Sequence, residues 1–216
     1  FMNNSALPPA AIFKAYDIRG IVGETLTVAG TEAIGRAIGT EAQARSRSTV
    51  VIGRDGRLSG PELAAALARG LQASGVDVID VGQVATPMLY FAAHELDTLS
   101  GVMVTGSHNP PQYNGLKMML AGDTLAGDAI QALRQRLLDN DVRSGNGSYR
   151  THDIRAAYLE RITATIKLAR PMRIAVDCGN GIAGATAPEL YRRLGCKVQE
   201  LYCEVDGTFH NHHPDP

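Results

Sequence analysis

Excess charge of either sign is missing from this 216-residue chain, because 21 lysines and arginines nearly balance 22 aspartates and glutamates and leave a formal net charge of −1. A surface without a dominant charge has no general attraction for nucleic acid or for an anionic membrane. The composition therefore argues against partners recognised by bulk electrostatics. We expect a small molecule bound at a local site.

Long apolar segments and abundant cysteine are missing as well. No run reaches the roughly 18 uncharged apolar residues that a transmembrane helix needs, and residues 1–9 lack the basic and apolar regions of a secretory signal. The three cysteines, Cys178, Cys196 and Cys203, form no Cys-x-x-Cys motif and cannot all pair with one another. These features predict a cytoplasmic protein in a reducing compartment.

Hydrophobic residues make up 44% of the chain, which is enough for a core. Short β-rich runs alternate with helical patterns. The strands are predicted at 49–53, 76–81, 101–104 and 115–120, and the helices at 61–74, 87–96 and 126–138. Such alternation predicts an α/β fold, in which helices flank a mixed, mostly parallel sheet in three layers. The strand at 115–120 is expected to run antiparallel, since the loop before it is too short for a crossover helix.

A polar, glycine-bearing segment at 139–151 divides this pattern and predicts a first domain at 1–150 and a second at 151–216. The second part carries predicted helices at 154–168 and up to 194, with strands at 173–178 and 197–201. Two strands and one intervening helix cannot cover both faces of a parallel sheet. We therefore expect an incomplete, truncated second α/β domain of similar type.

Residues 105–110 read Thr-Gly-Ser-His-Asn-Pro and follow the apolar strand predicted at 101–104. A buried strand fixes its end rigidly, and the loop after it has free N–H groups that can hold an anion. Ser107 is therefore a candidate nucleophile or phosphate carrier, although the same six residues are also ordinary turn formers. Lys117, in the otherwise apolar next strand, either faces solvent or faces this site, where it could deliver a proton.

Two charged segments accompany this loop. Residues 14–20 read Lys-Ala-Tyr-Asp-Ile-Arg-Gly and form either part of a site or a solvated loop. Residues 53–60 read Gly-Arg-Asp-Gly-Arg-Leu-Ser-Gly and lie between a strand and a helix, where open α/β sheets bind ligands. In the second segment Arg54 and Arg57 either clamp a phosphate or pair with Asp55.

A glycine motif, Gly-Asn-Gly-Ile-Ala-Gly at 179–184, matches G-x-G-x-x-G between a predicted strand and helix. Glu200 and Glu204 lie near the spacing of a ribose-binding acid, so dinucleotide binding is an alternative. Asp177 places a negative charge close to where a pyrophosphate would lie. We favour a tight strand-to-helix turn.

Histidines and carboxylates concentrate near residue 210. They are His210, His212, His213, Asp206 and Asp215. Neighbouring prolines and the lack of helical ligand spacing predict an irregular loop with solvated histidines rather than a metal site.

These motifs together resemble the bacterial phosphomannomutase/phosphoglucomutase enzymes of the α-D-phosphohexomutase superfamily. The resemblance runs from about residue 11 to residue 216. It rests on the segments 14–20, 53–60, 105–110 with Lys117, 177–181 (Asp-Cys-Gly-Asn-Gly) and 206–209 (Asp-Gly-Thr-Phe). Members of that family have four domains, so the chain would correspond to domain 1 and the start of domain 2.

The resemblance implies that Ser107 is a phosphoserine in an isomerase that converts mannose or glucose 1-phosphate to the 6-phosphate through a bisphosphorylated sugar. It implies that Lys117 and Arg19 support proton transfer and charge stabilisation. It implies further that Tyr16 contacts substrate and that His108 contacts a phosphate or hydroxyl. A glucosamine phosphate substrate and a non-catalytic phosphate-binding module are the alternatives.

The resemblance also implies Mg²⁺, bound by the phosphate on Ser107 and by an aspartate-rich loop, with a hexose 1,6-bisphosphate as activator. No Asp-Gly-Asp-x-Asp loop occurs in this sequence. Losing the cations and metal that hold a transition state costs several kcal/mol per group. We therefore expect this chain by itself to be inactive or nearly so.

Overall fold

The computed structural model describes residues 7–214. The strands are β1 (Ile18–Ile21), β2 (Thr49–Arg54), β3 (Asp77–Gln83), β4 (Gly101–Val104), β5 (Tyr113–Leu120), β6 (Asp123–Thr124), β7 (Tyr149–Thr151), β8 (Arg173–Asp177) and β9 (Lys197–Leu201). The helices are α1 (Val28–Ala44), α2 (Gly60–Ala73), α3 (Thr86–Glu95), α4 (Asp128–Leu138), α5 (Arg155–Thr165) and α6 (Ala187–Arg193). Among the helices of residues 7–214, none is long and apolar enough to cross a membrane.

The main sheet has the strand order β1-β5-β4-β2-β3-β7, with β6 paired to β5. Strands β4, β2, β3 and β7 run parallel to one another. Strand β5 runs antiparallel to both β1 and β4, as its short connection predicts. The predicted α/β fold is confirmed.

Two apolar cores lie on opposite faces of this sheet. Along β2, Val50 and Ile52 pack into the core formed with α1, α2 and α4, whereas Val51 packs into the core formed with α3. This alternation follows from the period of two in a strand. Helices on both faces give the three layers expected from the sequence.

Helix α1 and strands β1, β6 and β7 were not predicted from the sequence. Thr27 begins α1, because its Oγ1 accepts a hydrogen bond from the N–H of Gly30 at 3.0 Å. Helix α1 packs closely on α2, and a Cβ on Gly70 would lie 2.1 Å from the carbonyl oxygen of Glu32. Strand β1 forms from the end of the charged segment 14–20, so this segment is not merely a solvated loop.

The polar segment 139–151 is attached to the first unit by backbone contacts. Strand β7 pairs in parallel with β3, so the first sheet extends to Thr151, one residue beyond the suggested boundary. A Cβ on Gly147 would lie 1.9 Å from the carbonyl oxygen of Val76, so only glycine allows the chain to pass there.

The second unit contains the parallel pair β8 and β9 with α5 and α6. Every residue of β8 and β9 is half-buried or exposed. The glycine motif opens into a 3-10 helix, Ile182–Ala185, rather than directly into the predicted α-helix, and α6 begins only at Ala187. Asn180, 2% exposed, holds the turn by donating from its side chain to the carbonyl oxygen of Glu204.

Candidate active site

Ser107 lies in a tight turn that directly follows β4. All four residues of β4 are buried, whereas Ser107 is exposed and has a φ of +54°. Positive φ is strained for a residue with a side chain, and such strain persists only where the surroundings enforce it. The segment is a turn that presents the Ser107 hydroxyl to solvent.

A buried carboxylate holds the base of the turn. Asp55 is 7% exposed, and its Oδ2 accepts hydrogen bonds from Thr105 Oγ1 at 2.8 Å and from the N–H of Gly106 at 3.1 Å. Thr105 Oγ1 in turn accepts the N–H of Ser107 at 2.9 Å. The end of β2 thus fixes the residues on either side of Gly106.

The buried guanidinium of Arg57 organises the rest of the turn. Its side chain is 0% exposed, and its Nε lies 3.3 Å from Asp55 Oδ2. Its Nη1 and Nη2 donate to four carbonyl oxygens, those of Pro110 (2.7 Å), Tyr113 (3.0 Å), Ser107 (3.0 Å) and Asn109 (2.6 Å). Each N–H of the two amino groups is therefore used, and of the two predicted roles for Arg57 a phosphate clamp is wrong and pairing with Asp55 is correct.

Electrostatics keep this arginine charged despite its position. Burial lowers the pKa of the Arg57 guanidinium, and the neighbouring Asp55 carboxylate opposes that change. Arginine is not deprotonated in folded proteins, so the guanidinium stays charged. The Asp55–Arg57 pair therefore acts as an ionic support beneath Ser107.

Glycine is required at position 106 by this arrangement. A Cβ there would lie 2.1 Å from both Cζ and Nε of Arg57. Any side chain at this position would displace the guanidinium or the turn.

Arg19, in β1, contacts the segment that leads into the turn, and Lys117, in β5, lies near the same carboxylate as Arg19. Arg19 donates from Nη1 to the carbonyl oxygen of Thr105 at 2.9 Å and pairs through Nη2 with Asp17. Lys117 Nζ lies 3.8 Å from Asp17 Oδ2, and its side chain is 31% exposed. Gly115 is opposite Arg19 in the sheet, and Lys117 lies two residues further along β5 on the same face. Asp17 joins the two cations, a role that sequence reasoning missed although the carboxylate stands within the charged motif.

Two other predicted site residues, His108 and Tyr16, differ in their surroundings. His108 Nδ1 is 3.3 Å from Ser107 Oγ. Tyr16 is 77% exposed and projects into solvent beside Asp17. The structure therefore brings His108 to Ser107 and leaves the Tyr16 ring free to meet a ligand.

A cleft of about 400 Å³ lies between the Ser107 turn and the second unit. Its walls include Asp55, Thr105, Ser107, Asp177, Cys178, Gly179, Phe209 and His212. The segment 205–209 packs directly on the loop that carries Arg57, since a Cβ on Gly207 would lie 2.7 Å from the carbonyl oxygen of Gly56. The Phe209 ring lies 5.1 Å from Arg57 Cζ. The second unit thus packs against Arg57, which holds the Ser107 turn.

Two of the histidines near residue 210, His212 and His213, line this cleft and remain exposed to solvent. His212 Nε2 lies 3.1 Å from Asp177 Oδ1. His210 instead contacts Asp206, at 2.7 Å. Asp215 lies outside the described residues. Within residues 7–214, no three His, Cys, Asp or Glu side chains come together so as to hold a metal ion.

We expect the His212 imidazole to titrate above its ordinary pKa of about 6.5. Its Nδ1 lies 2.8 Å from the carbonyl oxygen of His213. Only the protonated ring can donate to that oxygen and to Asp177 together. The hydrogen bond to His213 is the larger cause of the raised pKa of His212, and the contact with Asp177 is the next. Because the pKa of His212 is higher in the folded chain than in the unfolded chain, these contacts stabilise the fold fully at a pH below the unfolded-state pKa. That stabilisation is lost as the pH rises through the folded-state pKa. NMR titration of the ring measures it.

Asp177→Asn is the informative variant for this titration. It should lower the pKa of His212 only in part, since the His213 carbonyl contact remains. An unchanged His212 titration in Asp177→Asn would contradict the ion pair.

The N–H groups of the three glycines in the glycine motif are occupied. Gly179 donates to Asp177 Oδ1 at 2.9 Å, Gly181 donates to the carbonyl oxygen of Cys178 at 2.7 Å, and Gly184 donates to that of Gly181 at 3.1 Å. These hydrogen bonds build a tight turn, as favoured from the sequence. They leave these three N–H groups engaged within the turn rather than directed at a pyrophosphate.

Comparison with known proteins gives a consistent assignment. Residues 10–143 match the family description "Phosphoglucomutase/phosphomannomutase, alpha/beta/alpha domain I", and residues 156–216 match the corresponding domain II. The chain is 58% identical over 208 residues to a phosphomannomutase/phosphoglucomutase of Pseudomonas aeruginosa, covering 96% of this chain and 45% of that protein. It is 57% identical over 208 residues to a phosphoglucomutase of Neisseria meningitidis, covering 95% of this chain and 45% of that protein.

A solved structure agrees with these matches. The crystal structure of a phosphoglucomutase/phosphomannomutase family protein from Burkholderia thailandensis has a TM-score of 0.93 and 51% identity, covering 96% of this chain and 47% of that chain. The chain spans about half the length of the curated relatives it matches. The resemblance inferred from the motifs is confirmed, and the chain belongs to the phosphoglucomutase/phosphomannomutase family.

Proposed function

We propose that Ser107 carries the phosphoryl group of an isomerase that interconverts the 1-phosphate and 6-phosphate of hexoses. The observation that supports this most directly is the exposed, strained serine, whose turn is held by the buried Asp55–Arg57 pair and contacted by Arg19. Phosphoryl transfer needs positioning and compensating charge more than covalent chemistry from the protein. A rigid hydroxyl with cations around it meets that need.

The proposed reaction has two transfers. In the first, the phosphorus–oxygen bond to Ser107 breaks while a sugar hydroxyl forms a bond to the same phosphorus and loses its proton. The bisphosphorylated sugar then reorients, and its other phosphoryl group is transferred to the Ser107 oxygen, while the bond between that phosphorus and the sugar oxygen breaks and the freed sugar oxygen takes up the proton. The enzyme ends phosphorylated, as it began.

The neighbouring side chains have separate proposed roles. Arg19 stabilises the charge that develops on the travelling phosphoryl group, because its guanidinium is held at the Thr105 carbonyl. Lys117, oriented by Asp17, transfers the proton of the sugar hydroxyl. His108, whose Nδ1 lies 3.3 Å from Ser107 Oγ, contacts the phosphate or a sugar hydroxyl, and the exposed Tyr16 ring contacts the sugar.

Magnesium is the cofactor implied by the family resemblance, but the described residues do not by themselves form a site for it. Mg²⁺ prefers hard oxygen ligands in octahedral geometry. Both oxygens of Asp55 are engaged by Arg57, Thr105 and Gly106, and no cluster of acidic ligands occurs among residues 7–214. The one ligand that we assign is an oxygen of the phosphoryl group on Ser107.

The substrates that we propose are mannose and glucose phosphates, since the similar proteins are named phosphomannomutase/phosphoglucomutase and phosphoglucomutase. A hexose 1,6-bisphosphate would serve as activator by phosphorylating Ser107 when the serine is free. Small sugar phosphates also suit a chain with a net charge of −1, which relies on local cations to bind anions.

We expect prolonged incubation with glucose 1,6-bisphosphate and Mg²⁺ to place one phosphoryl group on this chain, at Ser107, since one slow transfer requires less than the repeated turnover that we expect this chain to lack. Intact mass spectrometry measures the added group, and fragmentation locates it. Ser107→Ala should abolish the modification, and Ser59→Ala should leave it in place because Ser59 lies at the start of α2. Phosphorylation that persists in Ser107→Ala would refute the assignment.

A further inference from the structure

Two thiols of the second unit lie in contact at the edge of the cleft. Cys178 directly follows β8, and Cys203 lies two residues after β9. Their Sγ atoms are 3.3 Å apart, both residues are half-buried, and both are free thiols. The phosphoryl chemistry proposed above uses neither sulfur.

The backbone already holds these two positions together on both sides. The N–H of Cys178 donates to the carbonyl oxygen of Leu201 at 3.1 Å, and the N–H of Asn180 donates to that of Tyr202 at 2.8 Å. A disulfide needs the sulfurs to approach to about 2.05 Å, a movement that side-chain torsions can supply when the backbone is in place. The pair is therefore prepared for a cross-link without rearrangement of β8 or β9.

We propose that Cys178 and Cys203 form a site of reversible oxidation, at which hydrogen peroxide converts the two thiols into an intramolecular disulfide. One sulfur, as thiolate, attacks a peroxide oxygen; the O–O bond breaks, hydroxide leaves, and a sulfenic acid forms. The second thiol attacks that sulfur, the S–S bond forms, and water leaves with the thiol proton. Two thiols and one peroxide give one disulfide and two waters.

The surroundings of Cys178 make the reaction depend on pH. Burial, then the contact with Cys203, raises the pKa of Cys178 to about 12. The thiolate is the reactive form of a cysteine. Hydrogen peroxide reaches the pair through the cleft, which Cys178 lines. The reaction should accelerate as pH rises.

The product joins two segments that shape the cleft. Asp177, the last residue of β8, and Gly179, in the turn after it, line the cleft opposite Ser107. Cross-linking this turn to the segment after β9 restricts the unfolded chain, so the oxidised protein should unfold at a higher temperature than the reduced one. The proposal is independent of the phosphoryl chemistry, because neither thiol takes part in it.

The test uses the reduced chain, desalted and exposed to hydrogen peroxide at mildly alkaline pH. Alkylation followed by mass spectrometry should show the loss of two reactive thiols and a peptide linked between Cys178 and Cys203, reversed by dithiothreitol. Cys196, buried beside the start of β9, should stay reduced, and Cys196→Ser should behave as the wild type. Cys178→Ser and Cys203→Ser should each abolish the linked peptide, and circular dichroism checks that they fold.

A urea-unfolded sample supplies the control for geometry. There the preference for the 178–203 link should vanish, because the backbone contacts that hold the thiols together are gone. Links that involve Cys196 in the folded chain, disulfides only between chains, or stable single-cysteine sulfinic acids with no linked peptide would each overturn the proposal.

Discussion

Arg57→Met is expected to lower the free energy of unfolding by about 3–5 kcal/mol, the range seen when one partner of a buried ion pair is removed. The substitution leaves the Asp55 carboxylate, 7% exposed, without its cation. It also removes the donors from four carbonyl oxygens of the Ser107 turn. Urea denaturation followed by circular dichroism measures the change.

Two variants separate the specific contacts of Arg57 from generic effects. Arg57→Lys keeps the charge, but one ammonium cannot reproduce a planar fork that reaches four acceptors, so its stability should lie between those of wild type and Arg57→Met. Arg170→Met, at an exposed position, should change the stability by no more than about 0.5 kcal/mol. Equal stabilities of Arg57→Met and Arg170→Met would show that the buried network contributes nothing.

Arg57 shows which contacts of the site cannot be predicted from the sequence. Arg57 stands in a glycine-bearing loop at a strand end, a context typical of anion binding. Its real acceptors are carbonyl oxygens 50 to 56 positions away in the chain. No local pattern encodes them, because main-chain oxygens are the same in every residue. Ser107 was identifiable, since its position after an apolar strand is a local property.

In the fold, too, elements with a local sequence pattern were predicted, whereas a helix that depends on tertiary packing was missed. Strands β4 and β9 were predicted at their observed residues, because short apolar or alternating runs between turn formers are local signals. Helix α1 was missed, and its sequence contains Gly30, Gly35 and Gly39, which lower helix propensity. A Cβ on Gly35 would lie 2.7 Å from the carbonyl oxygen of Leu67 in α2. Close packing of two helices explains these glycines, and that packing cannot be seen from α1 alone.

Gly106→Ala is expected to impair the proposed phosphorylation of Ser107 and to destabilise the chain by about 1–3 kcal/mol, the usual range for overpacking. The added methyl group would lie 2.1 Å from Arg57 Cζ, so the turn or the guanidinium must move. The guanidinium is held by four carbonyl oxygens and the turn by Asp55, so either movement breaks existing hydrogen bonds. Intact mass after treatment with glucose 1,6-bisphosphate and urea denaturation measure the two effects.

Gly60→Ala is the matched control for this substitution. Gly60 begins α2 at the end of the loop that carries Arg57, and a Cβ there meets its nearest neighbour at an ordinary 3.4 Å. Alanine is also the better helix former, so stability and phosphorylation should be kept. If Gly106→Ala were phosphorylated as fast as Gly60→Ala, the position of Ser107 would not depend on the packing of Gly106 against Arg57. A slow Gly106→Ala beside a fast Gly60→Ala would instead show that the buried guanidinium sets the position of the reactive hydroxyl.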